Sequence, residues 1–440
     1  MKQETVGGKN VKLYIKNGRV INPATNQDEV LDVAIENERI LEVGKDLAIK
    51  ENPDEVQIID AGGCFVMPGF VDLHVHFRDP GLTYKEDIGT GAKAAARGGV
   101  TTVCAMPNTK PVVDSVETLD YIQKKAEEVA PIHVEQLSAV TIGQEGLELV
   151  DMKGMVDKGA IAFSEDGKSV MDVTLYAEAM KQAAELGAVV MAHCEDKALV
   201  RGGVLNAGVA SEKYGVPGIT NSVEDVITAR DIFLANDYGT KLHLCHCSTA
   251  GSVELVRMAK NMGIAVTAEV CPHHFTLSDA DIDSADANYK MNPPLRSEAD
   301  VQALIRGLQD GTMEVISTDH APHSAEEKAK GFLESPFGIV GLETSASLTY
   351  TALVATGILT PMQMAEKMSW NPAKVIGIEN ERGSIETGKM ADIVIFNPDM
   401  EYTVDVNEFA SKGKNTPYDG KVLKGRVVNT ICKGKVVFAL

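Results

Sequence analysis

Between residues 66 and 322, eight apolar, strand-like runs alternate with amphipathic segments. The runs fall at 66–76, 99–106, 132–140, 160–166, 189–195, 241–248, 265–274 and 313–322. Strands that alternate with helices pair in parallel, and strands covered on both faces read as continuous apolar stretches. Eight such units are the count for a closed (β/α)8 TIM barrel. An open, doubly wound sheet is the alternative, but no Gly-x-Gly-x-x-Gly follows the first run. The first helix is expected to open at Thr83, with Glu86 completing a capping box, and to stop at Gly98-Gly99.

The flanks have another texture. Leu13-Tyr14-Ile15, Asn17-Gly18 and Val20-Ile21 read as a hairpin with an Asn-Gly turn. A second hairpin turns near Asn37, between Val33–Ile35 and Ile40–Val43. Past residue 375 come a strand at Ala391–Phe396 and a hairpin turning at Lys433-Gly434. Neither flank is large enough to bury a core alone. The expected organisation is therefore α/β, with residues 66–374 as the barrel. Residues 1–65 and 375–440 together form a small β-sandwich beside it.

Net charge is −21, which argues against nucleic-acid and anionic-membrane surfaces. No apolar run approaches the ~20 residues of a membrane span, and the first eight residues lack the apolar stretch of a leader. Seven scattered cysteines without a Cys-x-x-Cys fit free thiols in a reducing cytoplasm.

Barrel enzymes place their reacting groups at the C-terminal ends of the strands. Eight of the ten histidines lie at or near such ends, and only His133 and His243 sit earlier, as structural residues. His74 and His76 share one face of the first run. His193 and His246 end the fifth and sixth, Asp166 the fourth and Asp319 the eighth. A pair of histidines alone could simply line a polar pocket. Four imidazoles and two carboxylates converging on one mouth suit two Zn2+ ions. Such a centre polarises a carbonyl and makes hydroxide available near neutral pH. Cys194, Cys245 and Cys247 stand beside these residues, but thiolate ligation without a Cys-x-x-Cys pair is the weaker use.

The stretches Gly-Phe-Val-Asp-Leu-His-Val-His-Phe-Arg-Asp-Pro-Gly (69–81), Met-Pro-Asn-Thr (106–109) and Asn-Pro-Pro-Leu-Arg (292–296) resemble the amidohydrolase superfamily. So do Thr-Asp-His-Ala-Pro-His (318–323) and Phe-Gly-Ile-Val-Gly-Leu-Glu-Thr (337–344). Within it they resemble the longer, class I bacterial dihydroorotases, over nearly the whole chain. The resemblance implies reversible, zinc-dependent cyclisation of N-carbamoyl-L-aspartate to L-dihydroorotate in de novo pyrimidine synthesis. It implies two Zn2+ per subunit, bridged by Asp166 and a hydroxide. His74 and His76 would hold the first ion and His193 and His246 the second. Asp319 would touch the first ion and act as general base, then acid. His76, Arg78, Asn108, Asn292, His323, Phe337 and Gly338 match substrate-contacting positions, and His273 and His274 match a supporting segment. Lys168 would serve only if a carboxylated lysine replaced Asp166 as the bridge. A homodimer, and association with aspartate transcarbamoylase, are also implied.

Arg78 bears on the substrate, because its guanidinium matches the ring carboxylate of dihydroorotate. Hydantoinases and allantoinases are the nearest rivals. A non-catalytic barrel kept as a transcarbamoylase partner would be expected to have lost ligands. The charged stretch 325–335 is expected to form a mobile lid.

Overall fold

The computed structural model describes residues 12–49 and 56–440. The first eight residues, read above for a leader, lie outside them. The eight runs contain eight strands. They are β1 (Phe70–Val75), β2 (Val100–Ala105), β3 (His133–Gln136, continued by Ser138–Ala139) and β4 (Ala162–Ser164). They continue as β5 (Val189–Ala192), β6 (Lys241–Leu244), β7 (Val266–Val270) and β8 (Val315–Ile316). Each pairs in parallel with the next. A parallel bridge between Val75 and His320 closes the ring.

The helix after β1 starts later than expected, at Ile88, and ends at Arg97 before Gly98-Gly99. Asp87 caps it, accepting from Thr90 N while the Thr90 hydroxyl closes a reciprocal box. Glu86 is unavailable as a cap. It is wholly buried, accepting from the Ser411 hydroxyl and facing His320 Nε2 at 3.4 Å.

The run 66–76 is also not one strand. Phe65–Pro68 pairs antiparallel with Ile393–Phe396 in the flanking sheet, whereas β1 belongs to the barrel. The chain changes sheets at Gly69, whose N–H donates to Asp392 O at 2.9 Å. A Cβ there would stand 2.2 Å from Thr101 Oγ1, so no larger residue fits the crossing.

The two flanks build one β-unit, as expected. Its strands link in the order Lys435–Ala439, Val422–Cys432, Ile393–Thr403, Phe65–Pro68, Lys12–Asn22, Gln27–Glu36, Arg39–Gly44, with Val56–Asp60 also on Lys12–Asn22. Ile15, Val20, Val33, Ile35, Ile393 and Ile431 form a core separate from the barrel's. The hairpins at Asn37 and Lys433-Gly434 are present. Asn17-Gly18 is not a turn. The strand runs through it with a register shift, Asn17 takes φ +63°, and its N–H reaches Asp32 Oδ1 at 2.9 Å. That is a β-bulge, which uses the same left-handed residue types as a tight turn.

Between Ile393–Thr403 and Val422–Cys432 the chain leaves the sheet and runs to the barrel rim. Ala410 N and Ser411 N donate to Glu343. Asn415 donates to Ala321 O and Gly338 O, each at 3.0 Å.

Candidate metal centre and substrate cavity

Each strand end delivers its polar residue to one mouth. His74 is on β1 and His76 just beyond it, so the alternation of side chains aims both inward. Asp166, His193, His246 and Asp319 stand within three residues of the ends of β4, β5, β6 and β8. All six are buried. His74 Nε2 is 3.2 Å from Asp166 Oδ1 and 3.5 Å from Asp319 Oδ1. His76 Nε2 is 3.0 Å from Asp319 Oδ1 and 3.5 Å from Asp166 Oδ2. On the far side, His193 Nδ1 and His246 Nε2 are each 3.6 Å from Asp166 Oδ1 and 2.9 Å from each other. Asp166 thus stands between two histidine pairs.

The residues fit a metal. His74 Nε2 and Asp166 Oδ1 are buried with no hydrogen bond, although they face each other. Buried polar atoms without partners are costly, and converging lone pairs need a positive charge among them. The site attracts one. Burial opposes a charge on His74, but Asp166 and Asp319 raise its pKa well above the ordinary histidine value. Burial would likewise raise Asp166, yet His74 and His246 hold it well below the usual carboxylate range. Arg78, His246 and Asp319 take φ of +60°, +33° and +50°, strained values for such residues.

Three residues that the sequence reading missed orient the cluster. Glu269, on β7, faces His74 Nδ1 and His243 Nε2, each at 3.1 Å, and accepts from His246 N. The carboxylate can only accept, so His74 carries its proton on Nδ1 and turns the Nε2 lone pair to the centre. Glu195 lies 3.9 Å from His193 Nε2 and accepts from the Asn292 amide. Asp72 accepts from His74 N and Thr318 N, tying β1 to the end of β8. Inward period-two placement on β1 and β7 was the available signal for Asp72 and Glu269.

A cavity of about 150 Å3 opens over the cluster. Its walls include Arg78, Asn108, Asn292, Phe337 and Gly338. Asn108 is already engaged at both ends of its amide, by His76 Nδ1 at 2.9 Å and Asp166 Oδ2 at 3.1 Å. It positions the cluster as well as facing the cavity. His323 is behind the wall. Lys85 Nζ donates to its Nδ1 at 3.2 Å, so Nε2 carries the proton and donates to Phe337 O at 2.8 Å. Burial and the charges of Arg78, Lys85 and Lys328 push the His323 pKa down to about 2, which keeps it neutral. Arg78 Nη2 stands 3.3 Å from that same Nε2, which has no lone pair to offer. Arg78 Nε is used on Pro322 O. The outer edge of the guanidinium is therefore free for a ligand. Gly338 has φ +128°, and a Cβ there would lie 2.6 Å from the Ala321 Cβ.

Other expectations sort as follows. Lys168 is exposed, with Nζ on Gln144 O at 2.9 Å, so Asp166 and not Lys168 stands between the two histidine pairs. His273 and His274 are buried, and His274 Nε2 faces Pro293 O at 2.9 Å. The stretch expected as a lid forms two short helices, Ala325–Lys328 and Gly331–Glu334. It is tied down: buried Lys328 donates to Lys290 O, Pro336 O and Gly338 O, and Lys290 donates to Phe332 O and Ser335 O.

With this geometry in hand, comparison with known proteins is decisive. The chain is 49% identical to a dihydroorotase of Clostridioides difficile over 97% of its own length and 99% of the relative's. The chain belongs to the dihydroorotase family. A dihydroorotase of Pelotomaculum thermopropionicum is 48% identical over 97% of this chain and 98% of its own. A dihydro-orotase-like family model matches residues 63–252, and an amidohydrolase family model matches residues 355–438. Among solved structures, an L-hydantoinase (dihydropyrimidinase) from Arthrobacter aurescens superposes with TM-score 0.88 at 26% identity, covering 97% of each chain. A D-hydantoinase from a Thermus species gives 0.85 at 27%, covering 97% of this chain and 96% of its own. The barrel with an attached sheet is thus shared with cyclic-amide hydrolases.

Proposed function

We propose that this dihydroorotase-family chain interconverts N-carbamoyl-L-aspartate and L-dihydroorotate, in pyrimidine synthesis, with Zn2+ as its metal. The observation that carries the reading is Asp166 set between two histidine pairs, beneath a cavity whose wall presents the free edge of Arg78. His74 and His76 would hold one ion, His193 and His246 a second, with Asp166 between them and Asp319 against the first. When bound, such ions polarise an amide carbonyl and bring the pKa of water down to about 7. The chain's own residues supply the rest. Burial would raise the Asp319 pKa, but His74, His76 and His246 hold it at about 2. It is therefore ionised and able to take the proton of the attacking water. In hydrolysis Asp319 passes that proton to the leaving ring nitrogen; in ring closure the transfer reverses. Arg78 takes the ring carboxylate, a group that dihydrouracil and allantoin lack. The barrel, expected over residues 66–374, would carry this chemistry, and the described residues of 1–65 and 375–440 would contribute the attached β-unit. The seven free, buried cysteines support a reducing cytoplasm.

The likeness to hydantoinase structures favours a second reading, an uncharged cyclic amide as substrate. Turnover of dihydroorotate, dihydrouracil and allantoin by the zinc-loaded protein separates the two. Dihydroorotate is expected to be preferred by orders of magnitude, and preference for either uncharged ring overturns the assignment. Arg78→Met should cost about tenfold or more in kcat/KM for dihydroorotate, from loss of a charge-assisted pair worth about 1.5–3 kcal/mol. Zinc content should stay unchanged. Loss of zinc would mean that Arg78 serves the cluster instead.

A further inference from the structure

The signature that marks the metal centre occurs a second time, at the opposite end of the barrel. His133 opens β3, so it lies at the base, away from the mouth. Facing it are Asp392, next to the crossing at Gly69, and Cys432, the last residue of Val422–Cys432. Imidazole nitrogen, carboxylate oxygen and sulfur all lie within 4.8 Å of one another. Asp392 and Cys432 are buried, at 2% and 1% exposure. His133 Nε2 and Asp392 Oδ2 stand 3.0 Å apart. Both atoms are nevertheless buried without a hydrogen-bond partner, as His74 Nε2 and Asp166 Oδ1 are. The other carboxylate oxygen, Oδ1, is satisfied by Lys433 N at 2.9 Å, which leaves Oδ2 as the free donor atom. The Cys432 thiol also makes a weak contact to Thr101 O at 3.6 Å.

We propose that His133, Asp392 and Cys432 form a second metal site, structural in role, for a borderline divalent cation of the Zn2+ type. Bonds of about 2.0–2.3 Å place tetrahedral ligands roughly 3.3–3.8 Å apart; here the nitrogen and oxygen stand 3.0 Å apart and all three donor atoms lie within 4.8 Å, so an ion would draw them into that span. One nitrogen, one oxygen and one sulfur is a donor set for Zn2+ and poor for Mg2+ or Ca2+. A cavity of about 370 Å3 borders His133, giving an entry path and room for water as a fourth ligand. Glu127 on its wall favours a cation, Glu135 is engaged by Arg382 at 2.7 Å, and Lys433 opposes one. The ligands come from β3 and from the sheet, so a bound ion would fasten the C-terminal strands to the barrel base.

The test uses the full chain, reduced, stripped of metal and reloaded with Co2+. The mouth's proposed ligands include no thiolate. A sulfur-to-cobalt charge-transfer band in the near ultraviolet, accompanying one equivalent of metal, is expected from the base site. It should vanish in Cys432→Ser, with one equivalent lost and turnover retained. His133→Gln, at a half-buried position, is the second variant should Cys432→Ser not fold. It should weaken the band-linked affinity by about tenfold or more and abolish the rise in Tm that excess Zn2+ gives the native chain. Absence of the band from the native protein, its persistence in Cys432→Ser, or an unchanged band-linked affinity in His133→Gln overturns the proposal.

Discussion

His74 and Asp166 are held at the mouth by strand ends and by carboxylates on neighbouring strands. Phe337 and Gly338, on the wall of the same cavity, are held by long side chains that reach across loops. The floor takes its orientation from Glu269 and Asp72, both inside the barrel wall. The outer wall takes its position from His323, Lys328 and Asn415, the last reaching in from the C-terminal flank. The division teaches where chemistry and selectivity reside. A strand-built floor can persist while loop-built walls change, so hydantoinases and dihydroorotases can share one barrel and differ in the ring that they accept.

If the floor carries the chemistry, its variants should outweigh those of the wall. Asp319→Asn keeps the shape but cannot accept a proton. Turnover should fall about 10²–10⁴-fold even when excess zinc restores the metal that the lost carboxylate ligand had helped to hold. Because the native carboxyl is held at about 2, its titration should leave no inflection in the hydrolytic pH–rate profile above that value. A smaller loss would shift the base role elsewhere, and an inflection above about 2 that disappears in Asp319→Asn would show that the histidines do not hold this carboxyl down. Glu269→Gln comes next. The amide must turn a donor toward His74 Nδ1 or His243 Nε2, so one of the rings has to change tautomer. If His74 does, its Nε2–H points at the centre. Zinc affinity should drop about 10–100-fold, measured by chelator competition. Unchanged affinity would show that the strand alone orients His74.

The same division explains how far the sequence could be read. All six proposed ligands were visible, because a strand end preceded by an apolar run fixes both the place and the direction of the next polar side chain. Arg78 was visible for the same reason. Glu269 was passed over because a lone acid inside an apolar strand shows nothing of its partners, His74 and His243, until the barrel brings three strands together. Glu86 was misplaced as a cap because its true partners, His320 and Ser411, lie more than two hundred residues away. Asn17-Gly18 was misread because left-handed residues serve bulges and turns alike. Lys328 looked like one charge in a hydrophilic lid, whereas its ammonium is buried under three carbonyls. Nothing local announces that.

Lys328 is also where the wall can be tested by itself. Burial, together with the charge of Lys290, pushes its pKa down to about 7 from 10.5. Between those values the unfolded chain holds more protons than the folded one, so this group's contribution to stability rises with pH across that window. Below about 7 it is flat. Lys328→Met takes a donor from Lys290 O, Pro336 O and Gly338 O; Lys290 O keeps Gly338 N and Gly338 O keeps Asn415, so Pro336 O is the carbonyl left unpaired. The loss should be about 1–3 kcal/mol, given the usual penalty for buried unpaired groups. The deficit in Tm relative to the native chain should widen as pH rises from 7 towards 10. Released from Lys328, Phe337 and Gly338 should bind substrate less well, so KM should rise while zinc content and the effect of Asp319→Asn stay as in the native background. A variant that lost zinc would tie the wall to the floor and undo the division. One whose Tm deficit narrowed with pH would show that the fold stabilises the Lys328 ammonium instead of disfavouring it.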